Sequence, residues 1–283
     1  MTAAAERLVG RRTISPPARA WSFAKRHALT AYAILAFAYF LLPIAVVVLF
    51  SFNDPAGRFN YVWEGFTFRN WKNWDAVPGL TDAIKISLEI AVLSSILATI
   101  FGTLIALALV RYGFRGRGPT NLLIFLPMST PEIVMGASLL TLFLTLSVAT
   151  GFTTILIAHI MFCISFVVVT VKARLVGFDR HLEEAAMDLG ANEWTTFQKV
   201  TLPLIMPAIL AGALLSFALS IDDFVITYFN SGNTVTFPIF VWGAARVATP
   251  PQINVIGTVI FVVAVGLMLG NVLFQRRRAR TGS

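Results

Sequence analysis

"HLEEAAMDLGANEWTTFQKVTLP", residues His181 to Pro203, decides how this chain is read, because it looks soluble and lies between two segments suited to lipid. Leu182, Ala185, Ala186 and Leu189 follow the i, i+3, i+4, i+7 spacing of one helical face, while Glu183, Glu184 and Asp188 point elsewhere. Gly190 then breaks the helix, as a residue tolerant of positive φ does at a C-terminal cap. Asn192 is a good N-cap for a second helix over Glu193 to Val200, and Pro203 can open the next helix near its first turn. The spacing therefore predicts a bent helical pair with one apolar face. A connector lying on a membrane surface would favour lysine and arginine on its polar face, because the inner leaflet is anionic. Acids stand there instead, which favours docking into a groove on another protein.

The rest of the chain sets that elbow in a membrane. Of 283 residues, 57% are hydrophobic and 13% charged, about half the charged share of an ordinary soluble domain. The net charge of +8 collects at chain ends and between apolar runs, a pattern of orientation signals and not of a nucleic-acid patch. The single cysteine, Cys163, lies inside an apolar run, which excludes a disulfide framework and a thiolate metal cluster within the chain and suits a small packing residue.

A helix needs about 20 mostly apolar residues to cross the hydrocarbon core. Six stretches qualify: Thr30 to Ser51, Ile86 to Val110, Leu122 to Ser147, Thr153 to Val171, Leu204 to Tyr228 and Ile253 to Phe274. Pro127 and Pro131 interrupt the third, where a kink or local unwinding is expected. Basic residues precede the first span (Arg7, Arg11, Arg12, Arg19, Lys25, Arg26), separate the second from the third (Arg111, Arg115, Arg117) and follow the last (Arg276, Arg277, Arg278, Arg280). They predict a multi-pass membrane protein with both termini in the cytoplasm. The expected organisation is all-α: a tail over 1–29, a six-helix transmembrane domain over 30–274 that contains the elbow loop at 179–203, and a tail over 275–283. The loop from Phe52 to Asp82 is then external, and Trp63, Trp71 and Trp74 suit a membrane-interface layer. Arg11 and Arg12 resemble a twin-arginine signal, but the apolar segment begins far downstream and is long enough to span, so a retained first helix fits better.

Glu184-Ala185-Ala186, then Gly190, then Val200-Thr201-Leu202-Pro203 resembles the EAA signature of permease subunits in binding-protein-dependent ABC importers, of the MetI-like type. The family pattern is Glu-Ala-Ala, three residues, Gly, nine residues, then Ile-x-Leu-Pro; only Val200 departs from it, conservatively. The resemblance implies that the elbow is a coupling helix seated in a cleft of a cytoplasmic ATPase, with Glu184, Ala185, Ala186, Gly190, Leu202 and Pro203 as coupling positions. It implies that the acids of the elbow stay solvated or meet basic groups on the ATPase. The partners it implies are two ATPase subunits using ATP and Mg²⁺, an extracytoplasmic binding protein, and a second, PotB-like permease as heterodimer partner. The chain itself has no G-x-x-x-x-G-K-[ST] phosphate loop and is expected to carry no cofactor.

Ionisable groups inside spans are costly and are candidates for function. Asp82 and Glu89 lie near the outer end of the second span, within reach of Lys85. Glu132 follows Pro131 in the third span and either lines a pathway or caps a broken helix half. Asp222 and Asp223 sit toward the outer end of the fifth span, where two carboxylates at a low-dielectric edge need a cation or donors. A cationic substrate could satisfy them; alternatively one caps a kinked segment and the other reaches water. "SIDDFVITYFNSG", "TFPIFVWGAARVATPPQINVIGTVIF" and "PEIVMGASLL" resemble the spermidine and putrescine permeases of the PotC and PotI kind. Polyamines are polycations, so carboxylates and the rings of Phe224, Tyr228 and Phe229 suit them chemically. Import of another small solute is the alternative within the same class.

A self-sufficient secondary transporter would more naturally show internal repeats and paired broken helices, and only the third span is visibly broken. A membrane enzyme would need a ligand or nucleophile motif; none of the common ones is present, and His27, His159 and His181 are dispersed, as terminal, core or surface histidines are.

Overall fold

The computed structural model describes residues 16–281, with side chains over 27–266 and at 269 and 270. Twelve helices follow one another among the described residues: α1 Pro16–Phe50, α2 Arg69–Lys72, α3 Leu80–Arg111, α4 Arg117–Ser129, α5 Glu132–Thr145, α6 Phe152–Val176, α7 His181–Asp188, α8 Glu193–Thr196, α9 Leu202–Asp222, α10 Val225–Asn230, α11 Phe237–Val247 and α12 Pro251–Thr281. A π turn, Phe197–Thr201, joins α8 to α9. No strand forms among the described residues; the extended contacts are two isolated bridges.

Four helices are long and apolar enough to cross a membrane, and the bent pair α4–α5 makes a fifth candidate. The predicted sixth span falls on α12, whose described apolar stretch is Pro251–Gly266. The first helix runs from Pro16, and its candidate span begins at His27, close to the expected Thr30. The expected break in the third span is there: two helices meet at 111°, because Thr130 turns extended before Pro131 and the ladder cannot continue through a proline. One expectation is corrected: the fifth span stops at Asp222, since Asp223 is extended and caps α10, so the apolar run to Tyr228 is not one helix. The α11 helix, opened by Pro238 and ended at extended Ala248, had no counterpart in the sequence reading.

The described residues fall into two compact units, one taking the chain up to Trp74 and again from Thr249, the other spanning Asp75–Ala248. In the first, α1 packs on α12, and the segment after α1 is organised by buried asparagines. Asn53 donates to Asn60 Oδ1 and to the Val62 carbonyl, both at 2.7 Å, and accepts from the Glu64 amide at 2.8 Å. Asn70 donates to the carbonyls of Ser51 and Asn53. The tryptophans divide: Trp71 stacks on Phe52 at 5.2 Å between ring centroids, while Trp63 and Trp74 stay exposed. The basic residues Arg7, Arg11 and Arg12 lie outside the described residues, as do the side chains of Arg19, Lys25, Arg26, Arg276, Arg277, Arg278 and Arg280.

In the second unit α3, α6 and α9 pack pairwise around a core that includes Ala98, Ala106, Cys163, Val167, Val171 and Ile205. Small residues let the helices approach, as is usual without water to drive association. A Cβ on Gly102 of α3 would lie 2.7 Å from Val167 of α6. Cys163 is fully buried there with its Sγ directed at the Ser216 carbonyl.

Candidate functional site

The elbow forms as its residue types require. Gly190 has φ +89°, the left-handed conformation that lets the chain reverse after α7, and the side chain of Asn192 accepts from the Thr195 amide at 2.8 Å to start α8. Pro203 stands in the first turn of α9, where its missing amide is tolerated. No residue of α7 is buried; Leu182, Met187, Leu189 and Trp194 are exposed, Leu189 to 90%. They give a short polar insert an exposed apolar surface. Glu184 is exposed and pairs with His181 at 3.1 Å, and Ala185 is exposed beside half-buried Ala186.

One acid of the elbow departs from the expectation of a solvated or ATPase-facing group. Glu183 is held within the chain by a two-pronged ion pair to Arg111, at the end of α3, and it also accepts from the Thr201 hydroxyl. Both side chains are mostly covered, Arg111 at 19% and Glu183 at 14% exposure. The arginine-bearing α3–α4 turn and the elbow therefore lie at the same end of this unit.

A second constellation gathers around the break between α9 and α10. Asp223 accepts from the Thr227 amide and hydroxyl, each at 2.8 Å, and from the Ile226 amide at 3.4 Å, so it serves as the cap of α10. His159 of α6 lies beneath, with Nε2 2.8 Å from Thr227 Oγ1 and 3.3 Å from Asp223 Oδ2. Its Nδ1 is 2.7 Å from Ser220 Oγ, which in turn accepts from Ser94 Oγ of α3 at 3.0 Å. Thr227 donates its hydroxyl proton to Asp223, and each ring nitrogen of His159 has a hydroxyl partner whose donor or acceptor role follows from the tautomer. The cluster ties α3, α6, α9 and α10 together. Sequence reasoning had His159 as a dispersed histidine, without its partners.

Asp222, its neighbour, is exposed. Two residues on, the Phe224 ring packs at a tilt against Tyr228, at 5.3 Å, and against Trp242 of α11, at 5.2 Å, and the guanidinium of Arg246 sits 4.6 Å above the Trp242 ring. Tyr228 and Trp242 are exposed at their outer faces, and Phe229 meets Tyr228 edge-on at 6.3 Å. Trp242 and Arg246 were not singled out in the sequence, because α11 reads there as the run-up to a span. Glu132 is exposed in the first turn of α5, immediately after the 111° bend. Lys85, Asp82 and Glu89 are all exposed, and among the described residues no ion pair joins the lysine to either acid, which corrects the expected pairing. No group of three or more potential metal ligands occurs among the described residues.

Residues 98–279 match the family model described as "Binding-protein-dependent transport system inner membrane component". The chain belongs to this family. It is thus a multi-pass permease subunit, not an enzyme, and its transport depends on a binding protein. It is 40% identical over 245 residues to the spermidine/putrescine transport system permease protein PotC of Escherichia coli K12, across 86% of this chain and 92% of that protein. It is 39% identical over 243 residues to the putrescine transport system permease protein PotI of the same organism, across 83% and 85%. Among solved structures it resembles a bacterial ABC transporter that imports the acidic polysaccharide alginate, with TM-score 0.64 and 19% identity over 93% of this chain and 98% of that one. At that identity the likeness speaks for the fold alone, and the fold is that of an ABC importer permease.

Proposed function

We propose that this chain is one half of the membrane pathway of an ATP-driven importer for polyamines such as spermidine and putrescine, with both termini in the cytoplasm. The observation that supports the substrate class is the exposed Asp222 two residues before Phe224, whose ring meets those of Tyr228 and Trp242, the latter already holding a cation, Arg246. A carboxylate with aromatic faces suits an alkylammonium chain, which offers repeated charges separated by apolar methylenes. The names of the PotC and PotI relatives point the same way.

The partners are a second, PotB-like permease, two ATPase subunits that use ATP and Mg²⁺, and the binding protein that delivers the solute. The ATPase seats the exposed apolar residues of α7 and α8, with Glu184, Ala185, Ala186 and Gly190 at the contact and Leu202 and Pro203 passing the motion into α9. The alternative of an ion-driven transporter makes an opposite prediction. Cells lacking this gene should lose uptake of labelled spermidine or putrescine and regain it with the gene restored, in step with ATP supply. Uptake that follows the ion gradient while ATP is depleted would end this reading, and uptake of an unrelated solute alone would end the polyamine assignment.

A further inference from the structure

The elbow is covalently continuous with α6 before it and, through the π turn, with α9 after it. Its attachment to α3 is different, because nothing in the chain sequence joins them directly. Two arginines make that attachment. Arg111, the last residue of α3, pairs with Glu183 through both carboxylate oxygens, and its guanidinium lies 5.3 Å over the Phe178 ring in the approach to α7. Arg180, immediately before α7, donates to the carbonyl of Val110 at 3.1 Å, one of the α3 carbonyls left free at the helix end. Glu183 is shared with Thr201, the last residue of the π turn, so a single carboxylate touches the end of α3, the body of α7 and the entrance to α9. A planar bidentate pair resists rotation as well as separation, unlike a single point contact.

We propose that Arg111 and Glu183 are positioning residues that make α3 move with the elbow, so that displacement of α7 reaches α3 as well as α6 and α9. This rests on the reading of α7 and α8 as the ATPase-docking surface. The pair touches neither solute nor nucleotide; it determines how much of each ATPase stroke arrives at the helices.

The intact importer, purified through a tag on this chain and placed in liposomes, tests the proposal. Glu183→Gln and Arg111→Gln should retain the co-purifying ATPase and its ATP hydrolysis, while solute moved per ATP falls roughly tenfold, a size ordinary for coupling between sites. Exchange of the charges, Arg111→Glu with Glu183→Arg, should recover part of that ratio. An unchanged ratio in both single variants overturns the proposal. So does failure of assembly in every variant including Glu183→Asp, since the pair is then needed to build the complex and not to drive it. Leu189→Asp separates the underlying reading: it should release the ATPase, and retention of the ATPase there means that the docking assignment has failed, whatever the Glu183 variants do.

Discussion

Asp223 holds the amide and hydroxyl of Thr227 at 2.8 Å each, while Asp222, one residue before it, faces outward. Adjacent carboxylates thus have separate duties. Asp223→Asn should lower the melting temperature of the detergent-solubilised protein, because the start of α10 and the Thr227 hydroxyl beside a buried histidine lose a carboxylate acceptor, at a cost of about 1–3 kcal/mol. Asp222→Asn should leave the melting temperature in place and raise the KM for polyamine uptake. Equal thermal losses in the two variants would contradict this division.

Trp242 and Arg246 give a paired expectation. Trp242→Ala should raise the KM for spermidine by about fivefold, within the range of one exposed to half-desolvated cation–π contact. Arg246→Gln vacates the same ring and should shift the KM the other way. Initial rates of labelled spermidine uptake over a range of concentrations measure both.

At Gly190 there is open space but a backbone that side chains resist: φ is +89° and no atom lies within 4 Å of where a Cβ would be. Gly190→Val should therefore strain the turn by about 1–3 kcal/mol without a clash. Transport and ATPase co-purification should fall while the protein remains in the membrane. Gly190→Asn should be milder, because asparagine tolerates the left-handed region. Western blotting of membranes alongside uptake distinguishes loss of function from loss of protein.

Gly102 presents the reverse case, an ordinary backbone and no room. A Cβ there would meet Val167 at 2.7 Å, so Gly102→Ala should separate α3 from α6 and cost about 1–3 kcal/mol. Val167→Ala in the same chain should return part of the lost melting temperature by making space.

Much of the elbow was legible because its signals are local: Gly190, Asn192 and Pro203 each act on backbone within a few residues. The core role of Cys163 was legible for the same reason, from its apolar neighbours. What the sequence hid depends on distance. Glu183 reads as one more surface acid until Arg111, 72 residues earlier, is seen beside it, and His159 gains meaning only from Ser220 and Thr227, 61 and 68 residues later. The adjacent carboxylates allow a break at Asp223 as one of two readings, but hydropathy carries the fifth span through to Tyr228, since it averages over a window and a two-residue interruption scarcely lowers it. Pro131 announces a kink, but no local signal gives its angle of 111°.

The π turn at Phe197–Thr201 carries one more residue than an α turn would, which offsets the azimuth of α8 from that of α9 by about 100°. Trp194 and Phe197, stacked at 5.8 Å, owe their heading to that surplus. A single-residue deletion within 198–200 would regularise the helix and swing both rings to another bearing while leaving Trp194, Phe197 and Thr201 in the chain. Spacing between Gly190 and Pro203 is therefore a geometric setting in its own right, and a sequence that kept every named residue but altered the count between them would aim the same parts at the wrong place.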